Sequence, residues 1–410
     1  MFSGSYSCPK RRLIFLIFLI LPHLVLLSGC GDSSSPFTSD RQEAATAVPT
    51  PTEARPQVEQ PTAEAADTSP TAAPAGLISA DDPLIRYTGR LDFSDPKRPR
   101  FDWPAVTIEA AFEGSSIAAL LEDGRNSYDV TIDGQTSVLR TQPGQTRYLL
   151  AEGLGKGRHT VRLVKRTETF YGTPRFLGFE LGAGRELGAL PPAKERRIEF
   201  VGDSITAGYG VEGDSPTCIY SPETENAALT YAAQTADLLD AAYTIAAVSG
   251  VGVVRNYNSD GAMSTGTMLT YYGRTVANDP QEDWDFGEWV PDAVVINLGT
   301  NDFSTTPHPE GELFLEGYTN LIFKVRQKYP RAHIFAVAGP LMVGPAENTI
   351  RSVVTQMNEA LGDDRVHFVL IENTLELTAV DFGCDWHPNV SGQAKIAAQL
   401  APAIAEVMGW

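Results

Sequence analysis

Four short motifs in the second half of the chain hold the residue types that acyl transfer requires. Ser204 follows a glycine at the end of an apolar run, and Gly250 and Asn301 follow two later apolar runs. His387 lies just before a helical pattern near the end of the chain. A serine hydroxyl becomes a nucleophile when a histidine takes its proton, and backbone N–H groups with an amide side chain can stabilise the resulting oxyanion. The sequence therefore predicts acyl transfer at Ser204.

The alternative interpretation of these motifs is structural. A Gly-Asp-Ser sequence alone is weak evidence, because a serine that opens a helix is usually an N-cap. A Rossmann-like domain with capping residues at its strand ends would show similar positions. The presence of all four motifs in one order favours the catalytic interpretation.

The motifs must be brought together by the elements around them. Apolar runs of strand length occupy 198–201, 242–248, 293–298, 334–338 and 366–371. Helical patterns occupy 229–241, 311–328, 350–361 and 391–408. Strands that alternate with helices predict a mostly parallel sheet covered on both faces, here a flavodoxin-like three-layer α/β/α domain. Chemistry in such sheets occurs at the carboxyl ends of the strands, where the first three motifs lie.

Two other α/β folds fit the first motif less well. The residues after Ser204 lack the Gly-x-Ser-x-Gly signature of α/β-hydrolases. The segment 202–208 lacks both the Gly-x-Gly-x-x-Gly spacing and the lysine of nucleotide-binding loops.

Together the four motifs resemble those of the SGNH (GDSL-type) hydrolases, over roughly residues 195–410. The resemblance implies that Ser204 is the nucleophile and His387 the general base. It also implies that the Ser204 N–H, Gly250 and Asn301 are the oxyanion donors. The matching segments are Gly202-Asp203-Ser204, Ser249-Gly250, Gly299-Thr300-Asn301-Asp302 and Asp385-Trp386-His387-Pro388.

The residue that orients His387 departs from the broad family pattern. Many SGNH enzymes place an aspartate three residues before the histidine, but here that residue is Cys384, and Asp385 stands two before. The segment Gly-Cys-Asp-Trp-His-Pro resembles carbohydrate esterase family two more closely. That family includes members with a Ser–His dyad oriented by a backbone carbonyl. The Asp385 carbonyl or carboxylate is therefore the candidate, with Asp381 behind it.

His308 is the other candidate base, because it follows the third strand in a loop. It is flanked by Pro307 and Pro309 and lacks the helix start that follows His387. We therefore favour His387 and expect His308 to be pocket wall or surface.

Trp386 precedes the predicted base and is a candidate substrate-binding residue. An indole face suits the apolar face of a sugar ring, and stacking there would place an acyl ester near Ser204. The alternative is a hydrophobic plug under the loop.

The chain has four cysteines, of which Cys8 and Cys30 lie in the N-terminal targeting segment. Two cysteines in an exported domain most simply form one disulfide. We therefore predict a Cys218–Cys384 bridge that ties the loop after the nucleophile to the histidine loop. The alternative is two buried free thiols.

The N-terminal segment is typical of an exported protein. Residues 1–30 contain the basic cluster Lys10-Arg11-Arg12, an apolar run from 13 to 27, and a Leu27-Ser28-Gly29-Cys30 sequence that resembles the bacterial lipobox. The resemblance implies that Cys30 is a lipid anchor, and a simple signal anchor is the alternative. Residues 31–76 are rich in Ser, Thr, Ala and Pro, which predicts a disordered tether.

Residues 77–182 change to short alternating runs separated by turns, such as Asp133-Gly134. This pattern predicts an all-β sandwich or jelly roll, and carbohydrate esterase family two carries such a domain. Its aromatic residues could form a sugar-binding face or a core; they are Phe170, Tyr171, Phe176 and Phe179. A linker, 183–196, then leads to the hydrolase domain, 197–410.

Composition narrows the functional classes. The net charge of −19, from 32 Lys+Arg and 51 Asp+Glu, argues against a nucleic-acid partner. No Cys/His/Asp cluster has metal-ligand spacing, so we expect no metal and no cofactor.

Family resemblance suggests O-acetyl groups on polysaccharides such as xylan or glucomannan as the substrate. The alternatives are a lipase or thioesterase acting on other small esters, and an inactive carbohydrate-binding lipoprotein. We expect a monomer that is tethered to a bacterial membrane, at the cell surface or in the periplasm.

Overall fold

The computed structural model describes residues 76–410, apart from 183–185, 282 and 377. The predicted signal peptide, the Cys30 anchor and the tether up to residue 75 lie outside the described residues. None of the helices in the described range combines the length and the apolar character needed to span a bilayer.

The first part of the described chain is an antiparallel β-sandwich, from Leu77 to Gly188. Its two sheets have the strand orders β1-β9-β4-β7 and β10-β3-β8-β5-β6, and β2 pairs with β3. The strands are β1 Leu77–Ser79, β2 Arg86–Thr88, β3 Thr107–Glu113, β4 Ile117–Asp123, β5 Ser127–Ile132, β6 Gln135–Arg140, β7 Gly144–Ala151, β8 Arg158–Lys165, β9 Arg175–Leu181 and β10 Leu187–Gly188.

The predicted turn at Asp133-Gly134 is present in the sandwich. It joins β5 to β6, with Ile132 opposite Gln135, and both turn residues have positive φ angles, 50° and 84°. Such φ angles favour the Asp-Gly pair in two-residue hairpins.

The sandwich aromatics divide between core and surface. Phe176 and Phe179 are fully buried with ring centroids 4.9 Å apart, so they belong to the core. Phe170 is 61% exposed, and Tyr171 contacts the Tyr220 hydroxyl at 2.8 Å.

The second part is an α/β domain, from Arg196 to Met408, with five parallel strands in the order β12-β11-β13-β14-β15. This is the flavodoxin-like order that the alternation of strands and helices predicts. The strands are β11 Arg196–Gly202, β12 Ala241–Ala247, β13 Ala293–Asn297, β14 His333–Ala338 and β15 Val366–Leu370. The helices are α1 Ser204–Ala207, α2 Tyr231–Leu238, α3 Met268–Tyr271, α4 Thr300–Ser304, α5 Gly311–Lys328, α6 Ala346–Leu361 and α7 Val390–Met408.

The two faces of the parallel sheet bury alternate strand residues against different helices. Ile198 and Phe200 pack in a cluster with residues of α2 and α7, whereas Val201 packs in a cluster with residues of α5 and α6. Burial on both faces explains why these strands read as continuous apolar runs.

Four helix boundaries differ from the prediction, two of them by only one or two residues, since α2 begins at Tyr231 and α7 at Val390. Helix α2 ends at Leu238, not 241, because Asp240 adopts a φ of 48° and Ala241 already begins β12. Helix α6 begins at Ala346, not 350, because its mostly polar first turn shows no apolar pattern. In addition, Leu187–Gly188, within the predicted linker, pairs with β3 of the sandwich.

The sandwich and the α/β domain share buried contacts. Arg90 is 2% exposed and donates to the Glu199 carboxylate on β11 at 2.9 Å. Its guanidinium lies 5.0–5.8 Å from the ring centroids of four aromatic residues, Trp103, Tyr272, Trp284 and Phe286. A buried cation of this kind fixes the two parts against each other.

Candidate active site

Ser204 is the first residue of α1, directly after β11 and a tight turn. The turn needs a glycine, because a Cβ on Gly202 would lie 2.0 Å from Thr206 Oγ1. The Asp203 carboxylate caps the helix by accepting a hydrogen bond from the Ile205 N–H at 3.1 Å. The turn and cap place Ser204 at the carboxyl end of the sheet, as the sequence predicts.

The predicted nucleophile and base are in direct contact. His387 Nε2 lies 2.7 Å from Ser204 Oγ, and its Nδ1 lies 2.9 Å from the Asp385 carbonyl oxygen. A carbonyl can only accept, so Nδ1 carries the proton and Nε2 presents its lone pair to the serine. This tautomer is the one that a general base needs.

Of the two candidate groups on Asp385, the carbonyl and not the carboxylate contacts His387. The carboxylate instead accepts from the Tyr209 hydroxyl at 3.0 Å and the Tyr220 N–H at 3.1 Å. These bonds hold Asp385 in a left-handed conformation, with a φ of 50°. Asp381 pairs with Lys395 at 2.6 Å and has no bond to the histidine.

The predicted disulfide between Cys218 and Cys384 is present. Backbone hydrogen bonds extend this connection: Asp385 N donates to the Cys218 carbonyl at 2.9 Å, and Trp386 N donates to the Pro216 carbonyl at 3.1 Å. The histidine loop is thus attached along its length to the loop that follows the nucleophile.

The predicted oxyanion donors Gly250 and Asn301 line the same cleft as Ser204. Asn301, in α4, is fixed by hydrogen bonds from its amide nitrogen to Asp203 Oδ2 at 3.2 Å and to the Val251 carbonyl at 3.0 Å. The N–H groups of Ser204 and Gly250 have no acceptor among the described residues. Both are therefore available to an incoming oxyanion.

Asp302 is a structural residue of the site to which sequence reasoning gave no role. Its buried carboxylate accepts hydrogen bonds from the N–H groups of Val253, Val254 and Arg255 at 2.8–3.0 Å. These bonds fix the segment after Gly250. Its position directly after Asn301 was the only sequence signal.

Burial shifts the pKa values of two groups at the site, the Asp203 carboxyl and the His387 imidazole. Burial raises the pKa of the Asp203 carboxyl to about 7, against the opposing hydrogen bond from the Ile205 N–H. Burial also lowers the pKa of the His387 imidazole below 6.5, because a buried ring disfavours the charged form.

The dyad opens into a cleft of about 660 Å³. Trp386 lines this cleft and is 50% exposed, so it is not a buried plug. Tyr257 lines the cleft too and is 58% exposed. His308 is exposed, does not line the cleft, and packs edge-on against Phe303.

We expect the acid limb of the pH profile for kcat/KM to have its midpoint below pH 6.5. Only neutral His387 can accept the serine proton, and its lowered pKa keeps it neutral to a lower pH. Steady-state rates between pH 4 and 9 measure the limb, in wild type and in Asp203→Asn. A limb near pH 7 that disappears in Asp203→Asn would instead assign the titration to Asp203.

Two sequence families match the chain in succession. Residues 87–191 match the carbohydrate esterase 2 N-terminal family, and residues 200–395 match the GDSL-like lipase/acylhydrolase family. The gap between the two matches, 192–199, includes the first residues of β11.

Curated relatives align with most of the chain. It is 38% identical over 335 residues to the cellulase/esterase CelE of Acetivibrio thermocellus, a match that covers 80% of this chain but only 40% of that protein. It is 31% identical over 328 residues to an acetylxylan esterase / glucomannan deacetylase of Cellvibrio japonicus, covering 77% of this chain and 88% of the relative.

A solved structure shares the whole two-part architecture. A family two carbohydrate esterase from Clostridium thermocellum, in complex with cellohexaose, superposes with a TM-score of 0.75 at 36% identity. The superposition covers 80% of this chain and 99% of that one.

Proposed function

The chain belongs to carbohydrate esterase family two, and from this membership we propose that it is a serine esterase that removes acetyl groups from polysaccharides such as xylan or glucomannan. The observation that carries the proposal is the Ser204–His387 contact of 2.7 Å at the base of an open cleft. The relatives' names supply the substrate class.

In the first step, His387 Nε2 takes the Ser204 proton as Oγ attacks the acetyl carbonyl carbon. The carbonyl oxygen becomes an oxyanion, which the Ser204 N–H, the Gly250 N–H and the Asn301 amide stabilise. The tetrahedral intermediate then breaks its bond to the sugar oxygen. His387 returns the proton to that oxygen, which leaves as a hydroxyl, and the acetyl group stays on Ser204.

In the second step, His387 takes a proton from water, whose oxygen attacks the acetyl-enzyme. The same donors stabilise the second oxyanion, and collapse breaks the bond to Ser204 Oγ. The proton returns to Oγ and acetate leaves. The Asp385 carbonyl stabilises the imidazolium that exists transiently in both steps, because it accepts from Nδ1.

The exposed aromatic side chains that line the cleft favour a sugar substrate. Trp386 is half exposed beside the base and Tyr257 is exposed on the cleft, so both rings are accessible to an apolar sugar face. We propose Trp386 as a substrate-binding residue on this ground.

The proposal is tested by measuring acetate released from acetylated xylan and acetylated glucomannan, with 4-nitrophenyl acetate and octanoate as comparison esters. We expect acetate release from at least one polymer and a preference for the acetyl over the octanoyl ester. Hydrolysis of 4-nitrophenyl acetate without release from either polymer would remove the polysaccharide assignment. Inactivity on all four substrates would remove the esterase assignment.

We further propose that the protein is exported as a monomer and tethered through a lipid on Cys30. The basic cluster and apolar run of residues 10–27, followed by the lipobox-like sequence, support this location. A disulfide beside the site fits an oxidising compartment. We propose 77–182 as the main part of a β domain, 183–196 as a connection whose strand Leu187–Gly188 pairs with that domain, and 197–410 as the hydrolase domain.

A further inference from the structure

A carboxylate of the β-sandwich reaches the oxyanion segment of the α/β domain. Glu168 lies just after β8 and is fully buried. Its Oε2 accepts from the Ser249 N–H at 2.7 Å, and its Oε1 contacts the Ser249 hydroxyl. Ser249 directly precedes Gly250, and both line the cleft.

These two contacts fix the residue before the predicted donor. A carboxylate that accepts both the N–H and the hydroxyl of Ser249 leaves that residue one orientation. The peptide that joins Ser249 to Gly250 includes the Gly250 N–H and begins at the Cα that these two contacts hold. On the other side of Gly250, its carbonyl accepts from the Tyr257 N–H at 2.8 Å.

The Glu168 backbone is itself held in place by two hydrogen bonds. Its carbonyl accepts from buried Lys165 Nζ at 3.0 Å, and its N–H donates to Glu225 Oε1 at 3.1 Å. The other oxygen of Glu225 accepts from the Tyr220 hydroxyl at 2.8 Å. Since Tyr220 N also bonds the Asp385 carboxylate, one network joins the oxyanion segment to the histidine loop.

Glu168 and Glu225 are two buried carboxyl groups whose pKa values are both raised by burial. Burial and the neighbouring Glu168 carboxylate raise the pKa of Glu225 well above its usual range. The two donors from Ser249 oppose the rise in the pKa of Glu168, because they favour its charged form. A charged acceptor makes the stronger bond to an N–H group.

We propose that Glu168 is a positioning residue of the active site, which holds Ser249 so that the Gly250 N–H faces the oxyanion. This inference rests on the proposed esterase function. On this proposal, the β-sandwich supplies a residue that orients an oxyanion donor of the α/β domain.

The test compares Glu168→Gln with a matched control, Asp102→Asn. Asp102 is also a fully buried sandwich carboxylate, and it accepts from two N–H groups of the α/β domain, Ala277 at 2.8 Å and Asn278 at 2.9 Å. Neither of these partners lines the cleft. The control therefore weakens the same kind of contact between the two parts without reaching Ser249.

We expect Glu168→Gln to lower kcat for 4-nitrophenyl acetate by roughly 10- to 100-fold, a part of the 10²–10³ that a whole oxyanion donor contributes. KM should stay within about twofold, because the lost interaction belongs to the transition state. Asp102→Asn should lower Tm about as much as Glu168→Gln does, but it should leave kcat within about twofold of wild type. Ser249→Ala, which keeps the N–H bond and removes the hydroxyl contact, should give an intermediate decrease in kcat.

Three outcomes would overturn the inference. The first is a kcat of Glu168→Gln that equals that of the wild type. The second is a loss of kcat in Asp102→Asn as large as that in Glu168→Gln, since such a loss would reflect a general loosening of the contact between the two parts. If Glu168→Gln does not fold, an unchanged kcat in Ser249→Ala is the third. All three outcomes are measured against an active wild-type enzyme. An inactive wild type would instead contradict the proposed esterase function.

Discussion

Ser204→Ala is expected to lower kcat for acetyl ester hydrolysis by on the order of 10⁴-fold or more, and His387→Ala by a similar factor. The two side chains share one hydrogen bond of 2.7 Å, and neither forms an acyl-enzyme without the other. The double variant should therefore be about as slow as either single variant. The measurement is kcat for 4-nitrophenyl acetate, with folding checked by circular dichroism.

His308→Ala is the matched control for the histidine. His308 is exposed and lies outside the cleft, so its removal should leave kcat within about twofold of wild type. A large loss in His308→Ala, or losses in Ser204→Ala and His387→Ala that multiply in the double variant, would contradict the dyad.

Asn301→Ala is expected to lower kcat by roughly 10²–10³-fold with little change in KM, because an oxyanion donor acts on the transition state. The Asn301 amide nitrogen donates to Asp203 Oδ2 at 3.2 Å and to the Val251 carbonyl at 3.0 Å, so an N–H must be shared with, or released from, one of these acceptors to reach the oxyanion. The oxyanion carries more charge than a neutral carbonyl and is the better acceptor.

Ser304→Ala is the control for Asn301→Ala, because Ser304 lies in the same helix and also lines the cleft. Its kcat should remain within about twofold of wild type. Near-normal turnover in Asn301→Ala would remove this residue from the oxyanion site and leave the two backbone N–H groups as the donors.

Local patterns were sufficient to predict the α/β domain. Its strands are buried on both faces and read as apolar runs, and helix α5 matches its predicted range of 311–328. Helix α2 ends three residues before the prediction, since the turn at Asp240 is set by how β12 joins the sheet. Such tertiary constraints leave no periodic signal in the sequence.

The site was predictable where its residues follow strand ends and motifs. Ser204 and His387 belong to such motifs, and the structure brings them together. Which group of Asp385 contacts His387 was not predictable from the sequence. The carbonyl does so because the distant residues Tyr209 and Tyr220 bind the carboxylate and hold a left-handed turn. Glu168 was equally hidden, since it lies 81 residues from Ser249 in a different part of the fold.

The burial of Arg90 against Glu199 has a consequence for how this enzyme can be recombined. A hybrid that joins this sandwich to the α/β domain of a relative contains Arg90 packed against aromatic rings. The α/β domain of that hybrid must therefore also provide a carboxylate at the position of Glu199. Losing one member of such a buried pair costs about 3–5 kcal/mol. The natural site for grafting a new module is therefore ahead of Gly76, and residues 76–410 are best exchanged as one cassette.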